Sequence, residues 1–130
     1  MKKLLIGLLI VIVLSACSSG SSVSVEGIWK LDSYNQTPAA AGVKTSIEFK
    51  DGHMNGNVGC NSFGGDYKVS GDTLTFGPVM STMMFCQGQQ MDQEQASLAV
   101  FQKSAKFAMN GAQLTITSDD GKSVIVLTNK

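Results

Sequence analysis

The chain predicts an α+β fold, a strongly curled antiparallel meander sheet (an incomplete β-barrel) with one helix packed against it. Three observations carry this expectation. From Glu26 onward apolar and polar residues mostly alternate, the period of half-buried strands. Gly-containing turn signals recur between the alternating runs. A single stretch around Met91–Ala105 switches to helical spacing.

Taken in order, Trp29 and Leu31 share one face between Ile28, Lys30 and Asp32, and mark the first strand. Val43, Thr45, Ile47 and Phe49 then alternate with Lys44, Ser46, Glu48 and Lys50. Asp51-Gly52 leads directly into His53-Met54, and such a two-residue link favours a hairpin because both positions accept positive φ. The same punctuation appears at Ser70-Gly71-Asp72, Asn110-Gly111 and Asp120-Gly121, so successive hairpins build a meander. Gly56, Gly59, Gly64 and Gly65 crowd one region. Glycines inside strands permit bulges and bends, so the sheet is expected to curl and hide its edges. Met91, Leu98, Phe101 and Ala105 predict a helix over about Gln90–Ser104 that covers one mouth of the curl. At about 100° per residue, Glu94 falls between Leu98 and Phe101 on that apolar stripe. A carboxylate there needs donors; backbone N–H groups or the Asn61 amide in the glycine loop are the expected ones.

The first residues are of a different kind. Lys2-Lys3 precede an apolar run, Leu4–Leu14, that ends in Leu14-Ser15-Ala16-Cys17. A transmembrane anchor needs about 18 apolar residues or more, and this run is too short. Its layout is that of a secretory signal, and its closing Cys resembles the lipobox of bacterial lipoproteins. That resemblance implies cleavage before Cys17, a diacylglyceryl group on its thiol and an acylated (palmitate-type) N-terminus. The expected organisation is residues 1–16 as leader, 17–24 as a lipid-anchored Ser/Gly tether and 25–130 as one domain. Seven residues, Ser18 to Ser24, reach about 15 Å as flexible coil, which keeps the domain close to its membrane. By analogy with enteric lipoproteins, Ser18 after the lipid cysteine implies the outer membrane, facing the periplasm, in a Gram-negative host.

Composition excludes some functions. Without Lys2 and Lys3 the chain carries eight lysines against ten acidic residues and no arginine, a poor match to phosphate-rich nucleic acid. Membrane attachment therefore rests on acyl chains rather than on a basic patch. Cys60 and Cys86 remain in an exported domain, where disulfides persist. A bridge between them is expected; two buried thiols are the alternative, because spacing does not establish proximity. Met80, Met83 and Met84 beside Cys86 offer thioethers suited to Cu(I). On a strand, however, Met83 would face away from Met80 and Met84, so core or cavity lining is preferred and no metal or cofactor is expected. His53 is the single histidine, with no nucleophile motif to accompany it. A general-acid role for Glu94 is kept only as an alternative to its structural one, and no enzyme activity is expected.

Gly59-Cys60-Asn61-Ser62-Phe63-Gly64-Gly65, Thr82-Met83-Met84-Phe85-Cys86, Met91-Asp92-Gln93-Glu94 and Gly27-Ile28-Trp29-Lys30-Leu31 together resemble the META domain of HslJ-like envelope proteins. The resemblance runs over about Val25–Asn129 and implies a small antiparallel sheet wrapped around a helix, exported or lipid-anchored. It associates the chain with envelope stress and implies no catalysis. Family members often carry Arg after the Thr, where this chain has Met83. The expected function is a non-enzymatic envelope lipoprotein that binds a protein or apolar ligand in envelope maintenance or stress. Its expected binding rim comprises Asn61, Phe63, Gly64, Gly65, Met83 and Phe85. An inhibitor of a secreted lysozyme or protease, with Gly64-Gly65 or Gln87–Gln90 as its inserting loop, and a lipid carrier are the alternatives.

Overall fold

In a computed structural model, which describes residues 23–130, alternation has become a barrel wall. Its elements are β1 (Gly27–Tyr34), β2 (Thr37–Pro38), β3 (Ser46–Lys50), β4 (His53–Asn57), β5 (Ser62–Ser70), β6 (Thr73–Phe76), β7 (Met80–Ser81), α1 (Gln89–Val100), β8 (Ser104–Asn110), β9 (Gln113–Ser118) and β10 (Val124–Asn129). The leader, Cys17 and most of the tether lie outside the described residues.

Every pairing is antiparallel, and the neighbours run β1–β3–β4–β5–β6–β8–β9–β10. This is the expected meander, with one correction. β10 pairs back onto β1, from Trp29 opposite Asn129 to Tyr34 opposite Ile125, so the barrel of eight strands is closed rather than incomplete. Closure pairs both edges of the sheet and leaves no long template for a foreign strand. The short β2 and β7 are appended to β1 and β5.

The inward residues form one core. Trp29, Leu31, Ile47, Phe49, Leu74, Leu114, Ile116, Ile125 and Leu127 are essentially sealed from solvent. Aromatic pairs fill the centre: Phe101 stacks on Phe63 at 5.5 Å and meets Phe76 edge-on at 5.2 Å, while Phe49 meets Tyr67 edge-on at 5.1 Å. The Asp51-Gly52 link has the positive φ values its sequence demands, 50° and 78°. Register shifts between Leu31 and Ser33 against β10. On the other side of β1, beyond the Trp29–Ile47 pair where β3 begins, the Leu31 N–H donates to Thr45 Oγ1 at 3.0 Å. A buried threonine hydroxyl thus stands in for the missing strand partner.

The helix is shorter than its periodicity predicts. It ends at Val100, with Phe101 at its C-cap and β8 already running from Ser104. Phe101 and Ala105 are buried, but as cap and strand residues respectively, not as helix turns. The helix-like spacing of these residues came from two adjacent elements sharing one core.

Leu127 is fully buried in the strand that closes the barrel. Its replacement by alanine is expected to cost about 2–5 kcal/mol, read as a lowered denaturant midpoint with an unchanged m-value. A loss below about 0.5 kcal/mol, the range of surface substitutions, would contradict this closure.

Candidate functional site

A barrel end exposes backbone groups that no neighbouring strand can pair. At the end where β1 and β4 finish, side chains of α1 fill that role. Gln93, fully buried, accepts the Ala40 N–H at 2.6 Å and donates to the Val58 carbonyl at 2.5 Å. Gln90 donates to the Gly59 carbonyl at 2.6 Å, and Gln89 to the Pro38 carbonyl at 3.0 Å. Ser97 closes onto the Gln93 carbonyl at 2.7 Å. The helix is therefore docked by a row of amides more than by an apolar stripe; Met91 and Leu98 are only half-buried.

Glu94 is the centre of this row. Its Oε2 accepts the N–H groups of Cys60 at 2.6 Å and Asn61 at 2.5 Å, and its Oε1 accepts the Asn61 side-chain amide at 2.6 Å. All three partners are donors, which an acceptor-only carboxylate satisfies on both oxygens. Close approach requires Gly59: a Cβ there would lie 2.4 Å from the Gln90 carbonyl oxygen and 2.8 Å from Glu94 Cβ.

Asn61 passes the constraint onward. Its Oδ1 accepts from Thr82 Oγ1 at 2.9 Å and from the Met84 N–H at 2.7 Å, while its Nδ2 also donates to the Met84 carbonyl at 3.1 Å. The Thr82 hydroxyl in turn accepts the Ser62 N–H at 3.2 Å. Cys60 and Cys86 are bonded, S–S 1.97 Å with Cα atoms 5.9 Å apart. A bridge over a loop of this length contributes on the order of 3–4 kcal/mol by chain entropy.

The segment so held, Met80–Phe85, is a strap on the barrel surface. Met80, Met83, Met84 and Phe85 are 78, 97, 58 and 82% exposed. The expected core or cavity lining by these methionines is thus overturned: Asn61 takes up the backbone polar groups of Met84, leaving its side chain outward. The expected rim is also divided. Met83 and Phe85 are on the surface, whereas Phe63 and Asn61 are each only 4% exposed. Phe63 lies on the inward face of β5, stacked against Phe101, and Asn61 spends its amide on the strap. Gly64 and Gly65 are half-buried within β5, and Gln89-Gln90 open α1, so neither expected inserting loop protrudes intact. His53 belongs to an exposed hairpin at the other end, 2.5 Å from Asp66. Ser97, and the docking role of Gln93, gave no sequence signal, because a polar residue on a helix reads as solvated.

The arrangement defines an eight-stranded barrel with one end closed by a helix and an exposed apolar strap tied down beside that closure. Residues 22–130 match the model of the META domain, and residues 1–18 match the prokaryotic membrane lipoprotein lipid attachment site. The chain belongs to the META domain family, and it is a lipid-anchored protein of the cell envelope. Its fold resembles that of a protein solved by NMR, 24% identical over 79% of this chain and 88% of the other, with a TM-score of 0.66. A Burkholderia xenovorans protein, also solved by NMR, is 21% identical over 81% of this chain and 82% of its own, at a TM-score of 0.63. A Bacteroides vulgatus protein of the DUF4847 family, solved by crystallography, is 15% identical over 81% and 93%, at 0.55. None of the curated proteins matches the chain.

Replacing Glu94 with glutamine turns one acceptor oxygen into a donor facing other donors. The expected loss is about 1–3 kcal/mol of stability, measured by chemical denaturation of the oxidised protein. A change within about 0.5 kcal/mol would show that the carboxylate does not hold the loop.

Proposed function

We propose that this protein is a non-enzymatic docking module of the envelope, and that the strap Met80–Phe85 is its contact surface for a protein partner in envelope maintenance or stress. The observation that carries the reading is the pairing of exposure with backbone anchorage. Four large apolar side chains face solvent on a backbone fixed by a disulfide and by Asn61. Contiguous exposed apolar surface marks interaction sites, and a surface fixed before binding avoids the ordering cost of association. Methionine adapts its shape to a partner. No charged residue stands between Asp72 and Asp92, so an apolar partner surface meets no desolvated charge across the strap.

The absence of catalysis is part of the proposal. Glu94 has both oxygens occupied by structural donors, and His53 stands at the other end of the barrel from it. With Ser18 behind the lipid cysteine, we place the protein on the outer membrane facing the periplasm in a Gram-negative host. Met83, 97% exposed on the anchored strap, also favours a second reading as an inhibitor of a secreted hydrolase, with the strap entering the cleft. An inhibition panel of lysozymes and proteases separates the two.

A photocrosslinking residue at position 83 in intact cells is expected to give one discrete protein adduct that Phe85→Ser weakens at least thirtyfold, the equivalent of about 2 kcal/mol for an interface anchor. The same residue at position 50, on the far hairpin, is expected to give none. Equal labelling from both positions, or adducts indifferent to Phe85→Ser, would overturn the assignment.

A further inference from the structure

Among the described residues, no helix covers the end of the barrel opposite α1. There the Asp51-Gly52, Gly71-Asp72 and Gly111-Ala112 turns come together, and there the described chain begins. A depression of about 830 Å³ opens between the N-terminal segment and strands β5 and β8. Its apolar walls are Val23, Val25, Tyr67, Val69, Phe107 and Met109. Val25 is sealed into the core, whereas Val23 and Val69 remain 48 and 42% exposed. Core surface therefore continues outward into an open apolar mouth, the form of a site for an apolar ligand.

Position and charge choose the occupant. Val23 is itself a wall of the mouth, and only residues 18–22 separate it from the lipid-bearing Cys17. Six Cα steps span at most about 20 Å, so the lipid on Cys17 is always within reach of the opening. The rim is acidic. Glu26 and Asp72 line the depression, and Asp51 adjoins its Gly52. Burial, then Glu26, raises the pKa of the Tyr67 hydroxyl, with Asp51 adding to the rise and the Gly52 backbone opposing it. Lys106 answers only Asp72, at 2.7 Å. Such a rim repels a phosphate headgroup or a fatty-acid carboxylate, whereas an acyl chain of an uncharged glyceride meets no opposing charge.

We propose that this mouth holds one acyl chain of the lipid carried on Cys17, folded back against the barrel end, while the remaining chains stay in the bilayer. The proposal rests on the lipid attachment and not on the docking role of the strap. It turns the open end toward the membrane and the strap away from it. The domain would then be held in one orientation instead of swinging on its tether.

The test uses the full lipidated protein from cells fed a diazirine-bearing palmitate analogue, purified and reconstituted at one copy per vesicle into unlabelled phosphatidylethanolamine–phosphatidylglycerol. Irradiation is expected to link the Cys17 lipid to Val69, Phe107 or Met109 of the same molecule. Val69→Asp is expected to reduce that yield at least fivefold. Should Val69→Asp fail to fold, as judged by circular dichroism and by the oxidised Cys60–Cys86 pair, Val69→Ser at this half-exposed position gives the same reading with a smaller drop. A second arm places the diazirine on the vesicle phospholipid instead. Adducts at these residues in the second arm but not the first would overturn the proposal in favour of a bilayer lipid, and adducts to vesicle lipid alone in the first arm would overturn it outright.

Discussion

One buried carboxylate sets the geometry on which the rest of this structure depends. Glu94 is 3% exposed and takes its three hydrogen bonds from two adjacent residues, Cys60 and Asn61. Removing a carboxylate from water costs several kcal/mol, and only a full set of donors in good geometry offsets it. The loop must therefore take one shape whenever the helix is docked. Asn61, fixed by that requirement, can hold Thr82 and Met84 in only one way. A constraint that begins in the core thus ends at the surface, in the backbone of the strap.

The rest of the closed end follows the same logic. Backbone groups at Ala40, Val58 and Gly59 lie outside the strands, Pro38 ends the two-residue β2, and all four are paired by the glutamines of α1. A helix with an apolar face would leave the buried Ala40 N–H and Val58 carbonyl unpaired, at a cost of about 1–3 kcal/mol each. This is why the buried face of α1 is built from Gln93, Glu94 and Ser97 with Val100 alone apolar. Apolar packing is left to the barrel interior, where Phe101 joins the helix end to Phe63 and Phe76. The two ends of the barrel therefore differ in kind: one is closed by matched amides and a carboxylate, and the other is open and apolar.

Much of this was legible in the residues because the informative signals were local. Period-two alternation located the strands that carry Trp29, Leu31, Ile47 and Phe49, and Asp51-Gly52 announced its own hairpin. Angular position alone placed Glu94 among apolar neighbours and so demanded donors. The signals that failed were non-local. Closure joins Trp29 to Asn129, a hundred residues apart in sequence, and no turn residue records it. Phe63 belongs to the glycine-rich stretch that reads as the rim, but the pleat of β5 turns it inward. The methionines of the strap carry the same letters as core methionines; only the polar anchoring of the Met84 backbone reveals that their side chains face out. Met91, Leu98, Phe101 and Ala105 matched a helix period because a helix end, a cap and a strand happen to serve one core.

The most direct measurement is amide hydrogen exchange at Cys60, Asn61 and Met84 in the oxidised protein. A single carboxylate-centred unit predicts that these three amides, though Met84 is more than half exposed, open together with one shared free energy. If the Met84 amide exchanged orders of magnitude faster than those of Cys60 and Asn61, the strap would be moving independently of Glu94, and the claim that the core carboxylate fixes the surface would fail.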